Sequence, residues 1–167
     1  MLSEEGIIAS LKNRFGEKIY NSRIAKPRRV YLEVDESIIR EVLSYMKDNM
    51  GFDHLSTITG LDLGEKIELI YHIVSGNSIV VSVKTNVPKI NPKTYSVSDI
   101  YVTAELYERE VYDLLGVKFE GHPDLSRLIL PEDWPDDLHP LRKDATLDLV
   151  KSRLSKDGGV FDERLSD

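Results

Sequence analysis

Hydrophobic residues recur every three or four positions near the start of the chain, where Ile7, Ile8, Leu11 and Phe15 share one face. That spacing predicts a helix, with Ser3 placed to cap it and Gly16 to end it. A polar stretch, "NSRIAKPR", gives way to "RVYLEV", in which Val30, Leu32 and Val34 alternate with more exposed positions and predict a strand. Asp35 can cap a second helix carrying Ile38, Ile39, Val42, Leu43 and Met46 at helical spacing, with Gly51 beyond its end. Three strand-like runs follow, "HLSTITGLDL", "KIELIYHIVS" and "SIVVSVKTN". The turns at Leu63-Gly64-Glu65 and Gly76-Asn77 predict an antiparallel meander. "VPKINPKTYS" reads as a loop, and Ser96 or Ser98 is placed to open a third helix that ends at Gly116.

The resulting order is helix, strand, helix, three strands, helix. It predicts an α+β fold in which helices cover a mostly antiparallel four-stranded sheet. After Gly116 the periodicity fades for about 50 residues, longer than a connection within a compact domain normally runs. We therefore expect a body over residues 1–116 and an extended C-terminal docking arm over 117–167. Around the third helix, Ile100, Ala104, Tyr107, Val111, Leu114 and Leu115 fall on the face toward the sheet. Glu108 and Glu110 fall on its two borders, while Arg109 and Asp113 point outward and are spaced to pair with each other.

Composition narrows the function classes. The 167 residues include no cysteine, which excludes disulfides, cysteine nucleophiles, thiolate zinc sites and conventional iron–sulfur ligation by this chain. No glutamine is present either, a weak sign of a thermophilic source. The net charge is −7, and residues 108–144 hold ten acids against five bases, so a nucleic-acid backbone would be repelled. No apolar run is long enough to cross a bilayer, and the first residues lack the pattern of a signal peptide. A cytoplasmic chain is expected, held at a membrane only through partners.

The polar segment from 108 to 144 admits three readings: active site, metal site or docking surface. His122, Asp124, Asp136, Asp137 and His139 are the available metal-ligand set for an enzyme. Both histidines precede prolines, a rigid extended setting unlike the one-face helical spacing of common zinc enzymes. His72 reads as a sheet residue, His54 carries no functional signal, and no phosphate-binding glycine loop follows a strand. A generic acidic adaptor is the remaining non-enzyme alternative.

"EREVYDLLGVKFEGHPDLSRLI" and "LILPEDWPDDLHPLRKD" resemble the signature of the 30 kDa subunit family of respiratory complex I and of its relatives in membrane-bound hydrogenases. The resemblance covers residues 96–144. It matches at Glu108, Arg109, Glu110, Asp113, Gly116, Gly121, His122, Pro123, Asp124 and Arg127. It resumes at Pro131, Glu132, Asp133 and Trp134, then at His139, Pro140, Leu141, Arg142, Lys143 and Asp144. Ser126 stands where the family usually has a basic residue or proline. "ATLDLV" follows Asp144 where quinone-reducing members commonly continue with tyrosine and proline, which shifts the resemblance toward an archaeal-type hydrogenase or related complex.

The resemblance implies a scaffold subunit with no cofactor of its own, docked on a large hydrogenase-like subunit and on small iron–sulfur subunits, and joined to the ion-translocating membrane module indirectly. Iron–sulfur clusters, and in a hydrogenase a nickel–iron centre, would lie in those partners. Leu128, Ile129, Leu130 and Trp134 would be apolar anchors. Arg127, Arg142 and the carboxylates would set register, and the neighbour would supply hydrogen-bond partners to the arm's irregular backbone. An NADH- or F420H2–quinone complex and a sulfur-reducing complex are the alternatives within this class.

Overall fold

The computed structural model describes residues 3–76 and 78–156. The expected turn residue Asn77 and the tail 157–167 lie outside the described residues. Helix α1 (Glu4–Phe15) begins where the Ser3 hydroxyl accepts from the Gly6 amide, and it ends at Gly16 with φ 59°. Strands β1 (Ile19–Lys26) and β2 (Arg29–Val34) form a hairpin. Helix α2 (Ile39–Met50) follows, closed by Gly51 in the left-handed region. Strands β3 (His54–Asp62), β4 (Lys66–Val74) and β5 (Val80–Pro88) then run antiparallel to one another in sequence, as the meander predicts. Strand β6 (Lys93–Tyr95), helix α3 (Ala104–Leu115), strand β7 (Lys118–Glu120) and helix α4 (Leu147–Lys156) complete the order.

The main sheet is five-stranded, in the order β1-β2-β5-β4-β3; it is mostly antiparallel as expected, with β2 and β5 parallel, and the expected count of four strands is corrected to five. The extra strand is β1, which lies in the stretch read as a polar connection. As an edge strand it pairs only with β2, and beyond Ile19 its side chains are largely exposed, so it carries no alternating apolar signal. The parallel pairing of β2 with β5 follows from the route between them. The chain leaves the sheet through α2 and returns by the meander, bringing β5 alongside β2, with Leu32 opposite Val83.

One sheet face carries the core. Val30, Leu32, Ile67, Leu69, Tyr71, Ile73, Val81 and Val83 are at most 1% exposed. Removing each from water is worth about 2 kcal/mol. Leu43 and Met46 of α2 and Val111 and Leu115 of α3 belong to the same cluster. The opposite face is polar: His72 bonds the Ser82 and Thr59 hydroxyls, and Lys84 pairs with Glu68 at 3.0 Å. Gly60 sets how close α3 comes to β3, because a Cβ there would collide with the Leu115 side chain.

Neither Ser96 nor Ser98 opens α3. The helix starts at Ala104 behind Thr103, whose hydroxyl donates to the Leu55 carbonyl instead of capping. Both serines are buried and bonded to each other at 2.8 Å. Strands β6 and β7 pair in parallel on either side of α3, and Val117 and Phe119 enter the core, so the chain just beyond Gly116 is tightly packed.

Gly60→Val should destabilise the protein by about 1–3 kcal/mol by wedging α3 off β3. Urea unfolding would register this as a lower midpoint with an unchanged slope.

Candidate functional site: an arm clamped on the third helix

Helix α3 has one stripe of side chains, Glu105, Arg109 and Asp113, spaced four apart so that they lie one above another. The chain that follows β7 runs along this stripe. At its start, the His122 Nε2 donates to the Glu105 carbonyl at 3.0 Å, while its Nδ1 accepts the Asp124 amide at 3.0 Å. These two roles place the donated proton on Nε2. One turn on, the Arg109 guanidinium donates to the Ser126 carbonyl at 3.0 Å and to that of Arg127 at 2.6 Å. Another turn on, one oxygen of Asp113 accepts the amides of Leu128, Ile129 and Leu130 at 3.2, 2.9 and 2.8 Å. The other oxygen takes Arg127 at 3.2 Å.

Arg109 and Asp113 therefore do not pair with each other, as their spacing suggested. Each turns to the arm, the cation to its carbonyls and the anion to its amides, which no local rule of helix pairing anticipates. Asp113 is 1% exposed. Burial pushes its carboxyl up, but the three amides and the Arg127 charge outweigh that and hold it below the ordinary range.

Glu108 is also not a border residue: it is fully buried. It accepts the Ser96 hydroxyl at 2.6 Å and the Val97 amide at 2.7 Å, with the His122 Nε2 4.0 Å away. Burial is the largest influence and leaves the carboxyl above its usual value despite these donors. Its visible task is to tie the segment between β6 and α3 across the helix. Glu110 stays half-exposed on the outer face.

The arm then closes the end of α3. A helix leaves its last four carbonyls without partners, and here each one finds a donor. The Tyr112 carbonyl takes the Gly116 amide at 2.8 Å, and the Asp113 carbonyl takes His139 Nδ1 at 3.1 Å. The Leu114 carbonyl takes the Leu141 amide at 3.1 Å, and the Leu115 carbonyl takes Arg142 Nε at 2.7 Å. Gly116 is required twice over. Its φ is 74°, and a Cβ would collide with the His139 ring and the Arg142 guanidinium. Burial lowers the His139 pKa; the bond to the Asp113 carbonyl opposes this, and the neighbouring arginines add to it.

Between the two clamps, the Trp134 Nε1 donates to the Leu138 carbonyl at 2.7 Å, folding "WPDDL" into a turn. Arg127 Nη2 donates to the Trp134 carbonyl and to Asp136, both at 2.7 Å. The last fixing point lies far back in sequence. Asp62, at the end of β3, accepts the Lys143 amide at 2.9 Å and the Gly64 amide at 2.7 Å. Lys89 bridges Asp62 at 2.8 Å and Asp144 at 3.0 Å. Burial opposes ionisation of Asp62, but these donors hold its pKa at about 2. Asp62 and Lys89 are structural partners of the arm that sequence reading missed, since Asp62 in "LDLGEK" looks like an ordinary hairpin aspartate.

The histidine–carboxylate set does not converge. His122 and His139 are each committed to helix carbonyls, Asp136 to Arg127, and Asp137 to Arg153 at 2.6 Å. Among the described residues no group of three or more His, Asp or Glu is arranged to hold a metal ion. No helix among them is long and apolar enough to cross a membrane. The arm's backbone, expected to draw its partners from a neighbour, obtains many of them from its own helix.

Residues 32–150 match the family described as respiratory-chain NADH dehydrogenase, 30 kDa subunit, and the chain belongs to that family. The homologous subunit of the F420H2 dehydrogenase of Methanosarcina mazei is 40% identical over 141 residues, covering 83% of this chain and 89% of the relative. The homologous subunit of the NADH-quinone oxidoreductase of Moorella thermoacetica is 38% identical over 109 residues, 64% of this chain and 72% of the relative. Among solved structures, a chain of the membrane-bound sulfane sulfur reductase, an archaeal respiratory membrane complex, superposes with a TM-score of 0.79. It is 28% identical and covers 98% of this chain and 95% of that one. The trypsin-resistant fragment of Nqo5 gives a TM-score of 0.63 at 29% identity, over 72% of this chain and 98% of the fragment.

Asp113→Ala should loosen the arm by about 3 kcal/mol, because three amides and a guanidinium lose their acceptor together. Amide exchange at residues 128–130 is expected to accelerate while the β4 and β5 amides stay protected. Acid should act in the same way. The Asp113 carboxyl is depressed in the folded state, so its contribution is complete above about pH 4 and is lost as pH falls through the lowered value. A pH series of exchange rates at 128–130 checks this.

Proposed function

We propose that this chain is a cofactor-free docking subunit in the hydrophilic arm of a complex I-related, membrane-bound redox complex. In this reading it sits on the cytoplasmic side and seats the segment after Gly116 against the large hydrogenase-like subunit and the small iron–sulfur subunits. Electron carriers reside in those partners, ion translocation belongs to the membrane module, and no catalytic step is assigned to this chain.

The observation that carries this reading is the construction of the arm. Two turns of α3, the helix C-terminus and Asp62 all serve to hold an irregular segment in one shape on the outside of the domain. Irregular backbone pinned at so many points makes physical sense as a preformed surface for another protein. On this surface Glu110, Asp124, Leu128, Ile129, Glu132, Asp133, Trp134 and Lys143 are the residues we assign to contact. Glu108, Arg109, Asp113, Arg127, His139, Arg142 and Asp144 shape it from behind.

Kinship to subunits of F420H2 dehydrogenase, NADH-quinone oxidoreductase and sulfane sulfur reductase favours a complex linked to F420H2, quinone or sulfur compounds. A hydrogenase is the second reading, favoured by "ATLDLV" after Asp144 in place of tyrosine and proline.

Tagging the chain in its native host and purifying it gently from solubilised membranes tests the reading. Co-purification with a large subunit and iron–sulfur proteins is expected, with iron present and nickel absent. Stoichiometric nickel would select the hydrogenase. Recovery of the chain alone with a bound metal would overturn the docking role.

A further inference from the structure

The face displayed by the α3 clamp has a definite chemistry. Leu128 and Ile129 are 41% and 52% exposed, although their amides are pinned to Asp113 beneath them. The clamp thus turns two aliphatic side chains outward at a fixed position. At the start of α3, Val102 and Leu106 are also exposed, at 77% and 54%.

Acids outnumber bases around these residues, ten to five over 108–144. Arg109, Arg127 and Arg142 are each engaged by this chain's own carbonyls or carboxylates. Asp137 is occupied by Arg153. Glu110, Asp124, Glu132 and Asp133 form no ion pair among the described residues, and the last three are exposed. Folding the arm therefore pairs Arg127 with Asp113 and Asp136 and leaves Asp124, Glu132 and Asp133 without ion pairs among the described residues, on either side of Leu128 and Ile129 along the chain.

From this pattern we propose that Leu128 and Ile129, flanked along the arm by Asp124, Glu132 and Asp133, dock a protein surface with apolar residues at its centre and lysine or arginine at its edge. The inference rests on the docking reading above and adds the face used and the chemistry of the partner. A second copy of the chain would bring like charges together. A nucleic acid or an anionic membrane would be repelled. The carboxylates steer a basic partner and set its orientation, while the two aliphatic side chains are the part that is dehydrated.

The test uses membranes from a host strain deleted for this subunit, with the remaining complex solubilised and purified. Binding of the full-length tagged chain to that complex is measured over a salt series. The wild type should bind, and affinity should fall as salt rises. The double reversal Glu132→Lys with Asp133→Lys should weaken binding about tenfold, mainly through slower association. Ile129→Asp should weaken it by a similar factor through faster dissociation. All these positions are exposed, so unchanged circular dichroism and thermal midpoint separate lost docking from lost fold. Ile24→Asp, on β1 at the opposite edge of the sheet, should bind as wild type.

A photo-crosslinking amino acid at position 129 should join a lysine- or arginine-rich peptide of the partner, identified by mass spectrometry. Failure of the wild type to rebind would sink the docking function itself. Wild-type binding that ignores salt, both substitutions and the crosslinker would leave that function standing and overturn the face proposed here.

Discussion

A single buried carboxylate organises the outside of this protein. Asp113 gathers three consecutive amides and one guanidinium, which is close to all the donors a carboxylate can accept. The three amides belong to residues with no secondary structure of their own, so without Asp113 they would face water or stay unpaired against the helix. The anion sits on α3, whose inner face is packed against β3 at Gly60. A rigid sheet thereby fixes a helix, and the helix fixes a segment that cannot fix itself.

The clamp is directional in charge. Arg109 meets carbonyls and Asp113 meets amides, so the arm is held by its backbone, and the identity of its outward side chains is free to serve contact. Closure of the α3 C-terminus works similarly. His139 and Arg142 reach helix carbonyls only because Gly116 leaves room for them, and the left-handed turn there sends the chain into β7. Backbone conformation, helix termination and docking of the arm thus meet at one residue without a side chain.

Much of this was legible from residue patterns. The three helices with strong apolar stripes and the β3–β5 meander follow from spacing alone, because each buries one continuous face. Strand β1 did not, since an edge strand exposed on both sides has no alternation to read. The site residues were visible as types and offsets, but their pairing was not. Arg109 and Asp113 four apart look like a surface ion pair, and only the course of the arm reveals that each prefers a backbone partner. Glu108 likewise looked like a border residue until Ser96 and Val97 were seen to fold over it. Asp62 and Lys143 are separated by 81 residues, and no local rule connects them.

That separation has a consequence for biogenesis. The seat for the end of the arm exists only after β3 and β4 have paired and Lys89 has been delivered by β5. A chain still lacking its sheet therefore cannot present the finished outer surface, whatever the state of α3. Under the proposed docking role, recognition of that surface by another subunit would double as a check that the interior is complete.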